Sequence, residues 1–300
     1  MRIRNFILGA FAVVSMASCS LYADIVISEN FDGTAGTGPG LQLLLNTGTS
    51  TFDNTTGVVN VIGNLAGSNA STNAAGFNSV SLAPLAMDVE SITATFVIDS
   101  VDDVLFTRSN GFFLGLITGV AGPTDNPTDA DGGGLFSNPG PASVGLRFNS
   151  GNTPTSALSS IQLLTDPEDL TGGAGGNVIL QSGTVPTAAS VDDGFTFVLT
   201  LNSDGTLDAS TTGLLTATGS SADISATGLA FSAPSFTDFI TNGVGVNSTF
   251  QGAGPDAGEG GFTIDSVTVH AAVPAEVIPE PSSLALLGLA SLGLVTRRRR

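Results

Sequence analysis

The chain has 300 residues, of which 26 are Asp or Glu and eight are Arg, and its formal net charge at pH 7 is −18. Residues 24–275 hold 24 of the acidic residues and, as basic residues, only Arg108 and Arg147, which gives this part a net charge of −22. Such a body repels nucleic-acid phosphates, which excludes nucleic acids as partners, and it also repels anionic lipid surfaces. The hydrophobic content of 41% predicts a folded domain.

The first 23 residues have the organisation of a secretory signal peptide. Arg2 and Arg4 supply a positive n-region, and the uncharged apolar stretch Phe6–Ala17 follows. A small-residue cleavage site ends at Ala23, and we predict cleavage after this residue. A second interpretation stays open, because the residues that end at Cys19 loosely resemble a lipoprotein box in which Cys19 would be lipidated.

The body, residues 24–270, has the two-residue periodicity of β-strands, and no window of a dozen residues has a convincing helical periodicity. Apolar and polar residues alternate most clearly in Ser91–Ile98, Phe195–Leu201 and Phe262–Val269. Further short strands are predicted at Ile25–Ser28, Val58–Ile62, Phe112–Thr118, Val144–Phe148, Val178–Gln181, Ile224–Phe231 and Gly243–Val246. The turn residues Asn202–Gly205 predict a hairpin with Thr206–Ser210. Many short strands with turns between them predict an all-β fold, a single antiparallel β-sandwich of the jelly-roll kind.

Three long stretches rich in Gly, Pro and Asp are predicted to be loops: Gly119–Ala142, Pro154–Gly176 and Phe250–Gly261. The first contains Asp125, Asp129 and Asp131, whose carboxylates are oxygen ligands of the kind that Ca²⁺ prefers. This stretch lacks the spacing and the closing Glu of an EF-hand loop, so a solvated turn is the simpler interpretation. Asp102–Asp103 and Asp192–Asp193 are likewise interpreted as turn residues that satisfy backbone amides.

The sequence contains no pattern that predicts catalysis. Its one histidine, His270, lies at the end of the last predicted strand and is interpreted as an exposed strand-end residue. There is no Gly-x-Ser-x-Gly elbow and no His/Cys spacing for zinc. Two carboxylates could serve a glycosidase, but the body has no Trp, and the single Tyr, Tyr22, lies in the signal. The 18 Phe residues are therefore interpreted mainly as core.

The C-terminal residues 279–300 combine three signals, and a linker, Ala271–Ile278, precedes them. These signals are the tripeptide Pro279, Glu280 and Pro281, the apolar stretch Leu284–Val295, and the terminal cluster Arg297, Arg298, Arg299 and Arg300. The prolines keep a short segment extended, and the arginines stay on the cytoplasmic side of a membrane. A helix over residues 282–296 is about 22 Å long, shorter than a hydrocarbon core of about 30 Å, which favours a transient transmembrane helix.

Residues 277–300 resemble a PEP-CTERM sorting domain, which is also known as an ice-binding-protein C-terminal motif although it implies no ice binding. The resemblance implies an exported protein of a Gram-negative bacterium and, as partner, an exosortase, a membrane-embedded cysteine transpeptidase-like enzyme. The protein would be held in the inner membrane and then cut near Pro279–Pro281 for release to the cell surface or extracellular matrix. Ile278 departs from the pattern, in which Val is commoner, and an ordinary C-terminal membrane anchor is the alternative.

The two ends of the body carry a second resemblance. Ile25–Gly33 and Phe262–Val269 are similar to the first and last strands of concanavalin-like or carbohydrate-module jelly rolls. In such folds the terminal strands often lie side by side, which would bring the sorting tail out beside the N-terminus. This resemblance implies an architecture and no activity.

Three functions are compatible with these observations. The leading hypothesis is a non-enzymatic exported surface or matrix protein. The second is a lectin-like, carbohydrate-binding module that binds extracellular polysaccharide, with Ca²⁺ as the only cofactor considered. The third is a glycan hydrolase or lyase, which predicts turnover of a matrix polysaccharide.

Overall fold

The computed structural model describes residues 22–32, 41–45, 51–53, 55–62, 74–79, 85–102, 112–118, 142–150, 158–165, 177–251 and 259–273. Their strands form an eight-stranded sheet A and a seven-stranded sheet B. Sheet A contains β1 (Tyr22–Glu29), β3 (Thr51–Asp53), β4 (Val58–Ile62), β6 (Ser91–Val101), β11 (Phe195–Asn202), β12 (Thr206–Thr212), β13 (Ser225–Ala230) and β15 (Glu259–Val273). Sheet B contains β2 (Leu41–Leu45), β5 (Ala74–Ser79), β7 (Phe112–Thr118), β8 (Ala142–Ser150), β9 (Leu158–Thr165), β10 (Asn177–Gln181) and β14 (Gly245–Gln251). The described helices are α1 (Ala188–Asp192) and α2 (Phe236–Asn242).

The two sheets pack against each other and confirm the predicted antiparallel sandwich. The paired strands are antiparallel, and one cluster of buried side chains draws on both sheets. Nearly all described residues belong to one compact unit, Ala23–Val273. The predicted signal helix and the predicted C-terminal transmembrane helix lie outside the described residues. Within the described residues, no helix has the length and apolarity needed to span a membrane.

The strands with the clearest predicted alternation are neighbours at the centre of sheet A. The sheet has the order β13-β12-β11-β6-β15-β4-β3, and β1 also pairs with β15. Along β6 and β11, buried residues alternate with half-buried ones, as in a sheet with one face on the core and the other toward solvent. Their inward residues, among them Phe96, Phe197 and Leu199, are fully buried. The alternation in the sequence therefore indicates a sheet with one face on the core and the other face toward solvent.

The hairpin predicted at Asn202–Gly205 is confirmed, since β11 ends at Asn202 and β12 begins at Thr206. Asp204 holds the turn, because its Oδ1 accepts hydrogen bonds from Thr206 Oγ1 at 2.6 Å and from Thr206 N at 2.9 Å. Gly205 follows with φ of 80°, a conformation that glycine adopts without strain. The hydrogen bond from the Thr206 hydroxyl, followed by that from its amide, lowers the pKa of Asp204 below its ordinary value of 3.8.

Replacing Asp204 by Ala is expected to destabilise the protein most at neutral pH, and less in acid. A carboxyl whose pKa is lowered in the folded state stabilises that state fully above its unfolded pKa, and this contribution disappears as the pH falls through the folded pKa. Thermal unfolding of both proteins from pH 7 to pH 2 measures this. Ser203→Ala, at an exposed and uncharged site in the same turn, is the control whose difference from the parent should not change with pH. A difference for Asp204→Ala that does not shrink below pH 3.8 would contradict the role of the ionised carboxylate.

Sheet B is buried on both faces at its centre. All seven residues of β7 are buried, and the side chains of residues 143–148 in β8 are buried as well. Phe112, Leu114 and Leu116 belong to the core between the sheets, whereas Phe113 and Ile117 lie on the opposite face. A strand covered on both faces needs no polar alternation, which is why β7 is a nearly continuous apolar run.

The core between the sheets contains a group of phenylalanines at one end of the sandwich. Phe112 and Phe148 come from sheet B, and Phe195 and Phe262 come from sheet A. The ring centroids of Phe112 and Phe262 are 5.1 Å apart, as are those of Phe148 and Phe195. Phe112 and Phe148 also lie 6.3 Å apart. These contacts confirm that these phenylalanines are core residues, and they join the two sheets directly.

The first and last strands lie side by side, as the resemblance to jelly rolls predicted, because β1 pairs with β15. Phe31, just after β1, lies near Gly57, and the backbone of Gly57 accepts a hydrogen bond from Ile264 N at 3.0 Å. The C-terminal end of β1 is thus close to the first half of β15.

Several predicted boundaries were wrong. β9 lies within the predicted loop Pro154–Gly176, whose Pro, Gly and Asp residues flank an apolar segment that pairs with both β8 and β10. β14 extends to Gln251 and β15 begins at Glu259, so the third predicted loop is shorter at both ends. β15 also continues to Val273, three residues into the predicted linker. The strands β2, β3 and β5 were not predicted.

Candidate functional site

The outward side of sheet A is a regular surface of small polar side chains, which we call the hydroxyl face. It consists of Ser91, Thr93, Thr95 and Val97 of β6, Thr196, Val198, Thr200 and Asn202 of β11, Asp208, Ser210 and Thr212 of β12, and Ser266, Thr268, His270 and Ala272 of β15. These residues are half-buried, except Thr212, which is exposed. Most of their chain neighbours point into the core, so the strand pleat puts these side chains on one surface.

Strand pairing arranges this surface in rows that cross the four strands. One row reads His270, Thr93, Thr200 and Asp208, and the next reads Thr268, Thr95, Val198 and Ser210. Neighbouring strands are about 4.8 Å apart and same-face residues on one strand about 6.8 Å apart, so the hydroxyls form a grid. Within the first row, Thr93 Oγ1 and Thr200 Oγ1 are hydrogen-bonded at 3.0 Å.

The hydroxyl face carries little charge although it belongs to a very acidic body. Asp208 is the one carboxylate among these residues, and Asp99 of β6 and Asp265 of β15 are exposed at the border of the face. Asp208 Oδ1 accepts a hydrogen bond from Gly228 N at 2.8 Å, and Asp208 Oδ2 accepts one from Asn202 Nδ2 at 3.4 Å. This carboxylate therefore holds the edge of the sheet together, and the rest of the face presents hydroxyl and methyl groups.

His270 lies within this face and not at a strand end. It is half-buried, pairs with Thr93 of the central strand β6, and is followed by three more residues of β15. The prediction of an exposed strand-end residue was wrong because β15 is longer than its alternating segment. Asp208 lies three strands away in the same row, about 14 Å from His270, too far to orient it as a catalytic base.

The structure describes only some of the other acidic residues that the sequence analysis named. Asp125, Asp129 and Asp131 lie outside the described residues, as does Asp103. Asp102 N donates to Gly261 O at 2.9 Å. Asp193 closes α1, with its N–H donating to Ala189 O, and Asp192 is the last residue of that helix. In the described part of the chain, no group of three or more His, Cys, Asp or Glu side chains could hold a metal ion.

The sorting residues Pro279, Glu280, Pro281 and Arg297, Arg298, Arg299 and Arg300 also lie outside the described residues.

The hydroxyl face was not predicted from the sequence as a candidate site. Its signal was present, since the polar positions of all three alternating strands are mainly Thr and Ser. The missing information was the register that puts strands more than 100 residues apart into one row, as with Thr93 and Thr200.

Comparison with solved structures gives only distant likenesses, mainly to lectins. Peanut lectin with a nine-residue peptide has 15% identity and a TM-score of 0.47, and the match covers 83% of this chain and 98% of the lectin. Basic winged bean lectin with Tn-antigen has 12% identity and a TM-score of 0.48, with 83% and 99% covered. Arcelin-5, a lectin-like defense protein from Phaseolus vulgaris, has 14% identity and a TM-score of 0.43, with 81% and 97% covered. These values are too low to carry an argument about function.

Sequence comparison finds a match to a known family at the C-terminal end of the chain. No curated protein matches the sequence. A family model, the PEP-CTERM protein-sorting motif, matches residues 277–300, the same residues that the Pro-Glu-Pro tripeptide, the apolar stretch and the Arg cluster singled out. The chain therefore carries a PEP-CTERM protein-sorting motif at its C-terminus, which implies exosortase-dependent export with membrane anchoring before processing.

Proposed function

We propose that this is an exported protein whose tail is cut by an exosortase to leave a non-catalytic β-sandwich at the cell surface or in the extracellular matrix. The observation that carries the proposal is the match of residues 277–300 to the PEP-CTERM protein-sorting motif. The tail holds four of the eight arginines, so cleavage near Pro279–Pro281 converts the chain into an almost purely anionic domain. Such a domain stays soluble through mutual repulsion and does not adhere to anionic membranes.

The fold supports processing without damage to the sandwich. β15 ends at Val273, so five residues separate the last described strand from Pro279. An extended chain of this length reaches at most about 20 Å. Cleavage at the tripeptide therefore removes no residue of a described strand.

The assignment of a non-catalytic body is supported by the row in which the single histidine lies. On the side of β6, His270 is followed by Thr93 and Thr200, and Asp208, the carboxylate of this row, is too distant to act with it. The second candidate function, binding of an extracellular polysaccharide, is favoured by the hydroxyl face itself. Its hydroxyl groups both donate and accept hydrogen bonds, as do those of sugars.

Changing the tripeptide to alanines (Pro279→Ala, Glu280→Ala, Pro281→Ala) is expected to abolish processing. The full chain would be expressed in a Gram-negative host with an exosortase and in the same host without one, and the intact mass of the protein measured. With the exosortase, the parent should lose Arg297–Arg300, whereas the triple variant should keep them. Pro274→Ala, which changes a proline outside the motif, is the control and should be processed like the parent.

A parent protein that retains its C-terminus at its final location would contradict this proposal. Equal processing of the parent and the triple variant would show that the tripeptide is not the sorting signal. The same mass spectra give the N-terminus, where a diacylglyceryl group on Cys19 would contradict cleavage after Ala23.

A further inference from the structure

We propose that the hydroxyl face binds a neutral polysaccharide, one whose sugar units carry hydroxyl groups and no charge, and that this contact holds the processed protein in the matrix. The inference deepens the proposed function, since it names the partner to which an exported matrix protein adheres. It concerns the open face of sheet A in particular.

The chemistry of the face suits a polyhydroxylated chain. Thr93, Thr95, Thr200 and Thr268 form a contiguous block at its centre, each half-buried and each on a strand with neighbours on both sides. Threonine has few side-chain conformers because it is β-branched, so its hydroxyl is already oriented before a ligand arrives. A surface that is ordered in advance loses little conformational entropy on binding. The methyl groups, with Val97 and Val198, provide an apolar background for the C–H groups of sugar rings.

The charge of the protein selects a neutral partner. A polyanion is repelled by a body of net charge −22, and the face has no Lys or Arg with which to bind one. A polycation would be attracted to the acidic body as a whole, but the one carboxylate of the face is engaged by Gly228 and Asn202. An uncharged polymer is not repelled by the negative charge of the body. Its hydroxyl groups can replace hydrogen bonds to water by hydrogen bonds to the hydroxyl groups of the face.

The charge of the protein argues against a second copy as the occupant, because two bodies of net charge −22 repel each other. A linear polymer needs only a strip of such a surface.

The test compares two variants that separate hydroxyl groups from side-chain shape. The first changes Thr93, Thr95, Thr200 and Thr268 to Val, which keeps the branched shape and removes four hydroxyls. The second changes the same four residues to Ser, which keeps the hydroxyls. Thr237→Val with Thr241→Val, at exposed positions of α2, is the control for surface valines. Each full chain, in nonionic detergent, is run by native affinity electrophoresis in gels that contain dextran, pullulan or glucomannan as neutral probes, or alginate as an anionic one.

The parent, the Ser variant and the α2 control should be retarded by at least one neutral probe, and the Val variant should bind it at least tenfold more weakly. No retardation by any of the three neutral probes, or equal retardation of parent and Val variant, would overturn the inference. Retardation by alginate as strong as by the neutral probes would overturn the charge argument. Dimerisation that the Val substitutions abolish would assign the face to a second copy. The two proposals can fail separately. A parent protein that keeps its C-terminus would contradict processing by an exosortase, but it should still bind the neutral probe.

Discussion

Replacing Phe112 by Ala is expected to lower the free energy of unfolding by about 3–5 kcal/mol, enough to remove a large part of the stability of a typical domain. Phe112 is fully buried in β7 of sheet B. Its ring centroid is 5.1 Å from that of Phe262 in sheet A and 6.3 Å from that of Phe148 in its own sheet. The substitution therefore leaves a cavity at a point where the two sheets touch, and strand hydrogen bonds hold both walls of that cavity apart.

Denaturant unfolding of Phe112→Ala, Phe262→Ala and the double variant measures this effect and the coupling between the two rings. For a direct ring contact, the double variant should lose about 0.5–1.5 kcal/mol less than the sum of the single variants. Met87→Ala is the control, because Met87 is 78% exposed and its truncation should change the unfolding free energy by less than about 0.5 kcal/mol. A loss at Phe112 as small as that at Met87 would show that the sheets do not meet there.

The strands of sheet A, which has one face open to solvent, could be predicted from the sequence more clearly than those of sheet B, whose central strands are buried on both faces. The three segments with clear alternation became β6, β11 and β15, adjacent strands of sheet A whose outer side is the hydroxyl face. Alternation arises because solvent selects polar residues on one side and the core selects apolar residues on the other. Sheet B, with its central strands buried on both sides, lacks that selection. Its strand β7 was predicted only as one of the further short strands, and β9 was missed because Pro, Gly and Asp residues flank it.

The candidate surface could be predicted less well than the fold. The sequence shows that Thr93, Thr95 and Thr200 occupy outward positions of strands, but only the register shows that they share one patch. Thr93 and Thr200 are 107 residues apart in the chain and hydrogen-bonded in the structure. Local periodicity contains no information about such pairing, which depends on the packing of all the strands together.

Irregular pairing at two sheet edges fits an exported protein that has to stay soluble. β13 ends one side of sheet A and β10 ends one side of sheet B, and the register of each with its neighbour is interrupted. Interrupted edges present a poor template for another strand. At β13, the Gly228 amide is also occupied by the Asp208 carboxylate at 2.8 Å. Edge protection and high negative charge both oppose association of copies of the protein.

A close approach of two backbones in sheet B leads to the second stability prediction. Gly115 of β7 and Gly145 of β8 are directly opposite each other. A methyl group added to Gly145 would lie 2.6 Å from the Gly115 Cα and would also meet the carbonyl oxygen of Leu114. A methyl group added to Gly115 would lie 2.8 Å from the ring of Phe113. Gly115 thus leaves space on the sheet that the Phe113 ring occupies, an arrangement in which an aromatic ring shields bare backbone.

Replacing Gly145 by Ala is expected to lower the free energy of unfolding by about 1–3 kcal/mol, which is the usual cost of adding atoms to a well-packed region. The atoms that the new methyl group meets belong to the backbone of β7, and they cannot move without breaking the strand pairing between β7 and β8. Gly183→Ala is the matched control, because a methyl group there has no heavy atom within 4 Å, and its effect should stay within about 0.5 kcal/mol. Denaturant unfolding of both variants measures the difference. Equal stability of the two would mean that β7 and β8 are farther apart at the glycine pair than described.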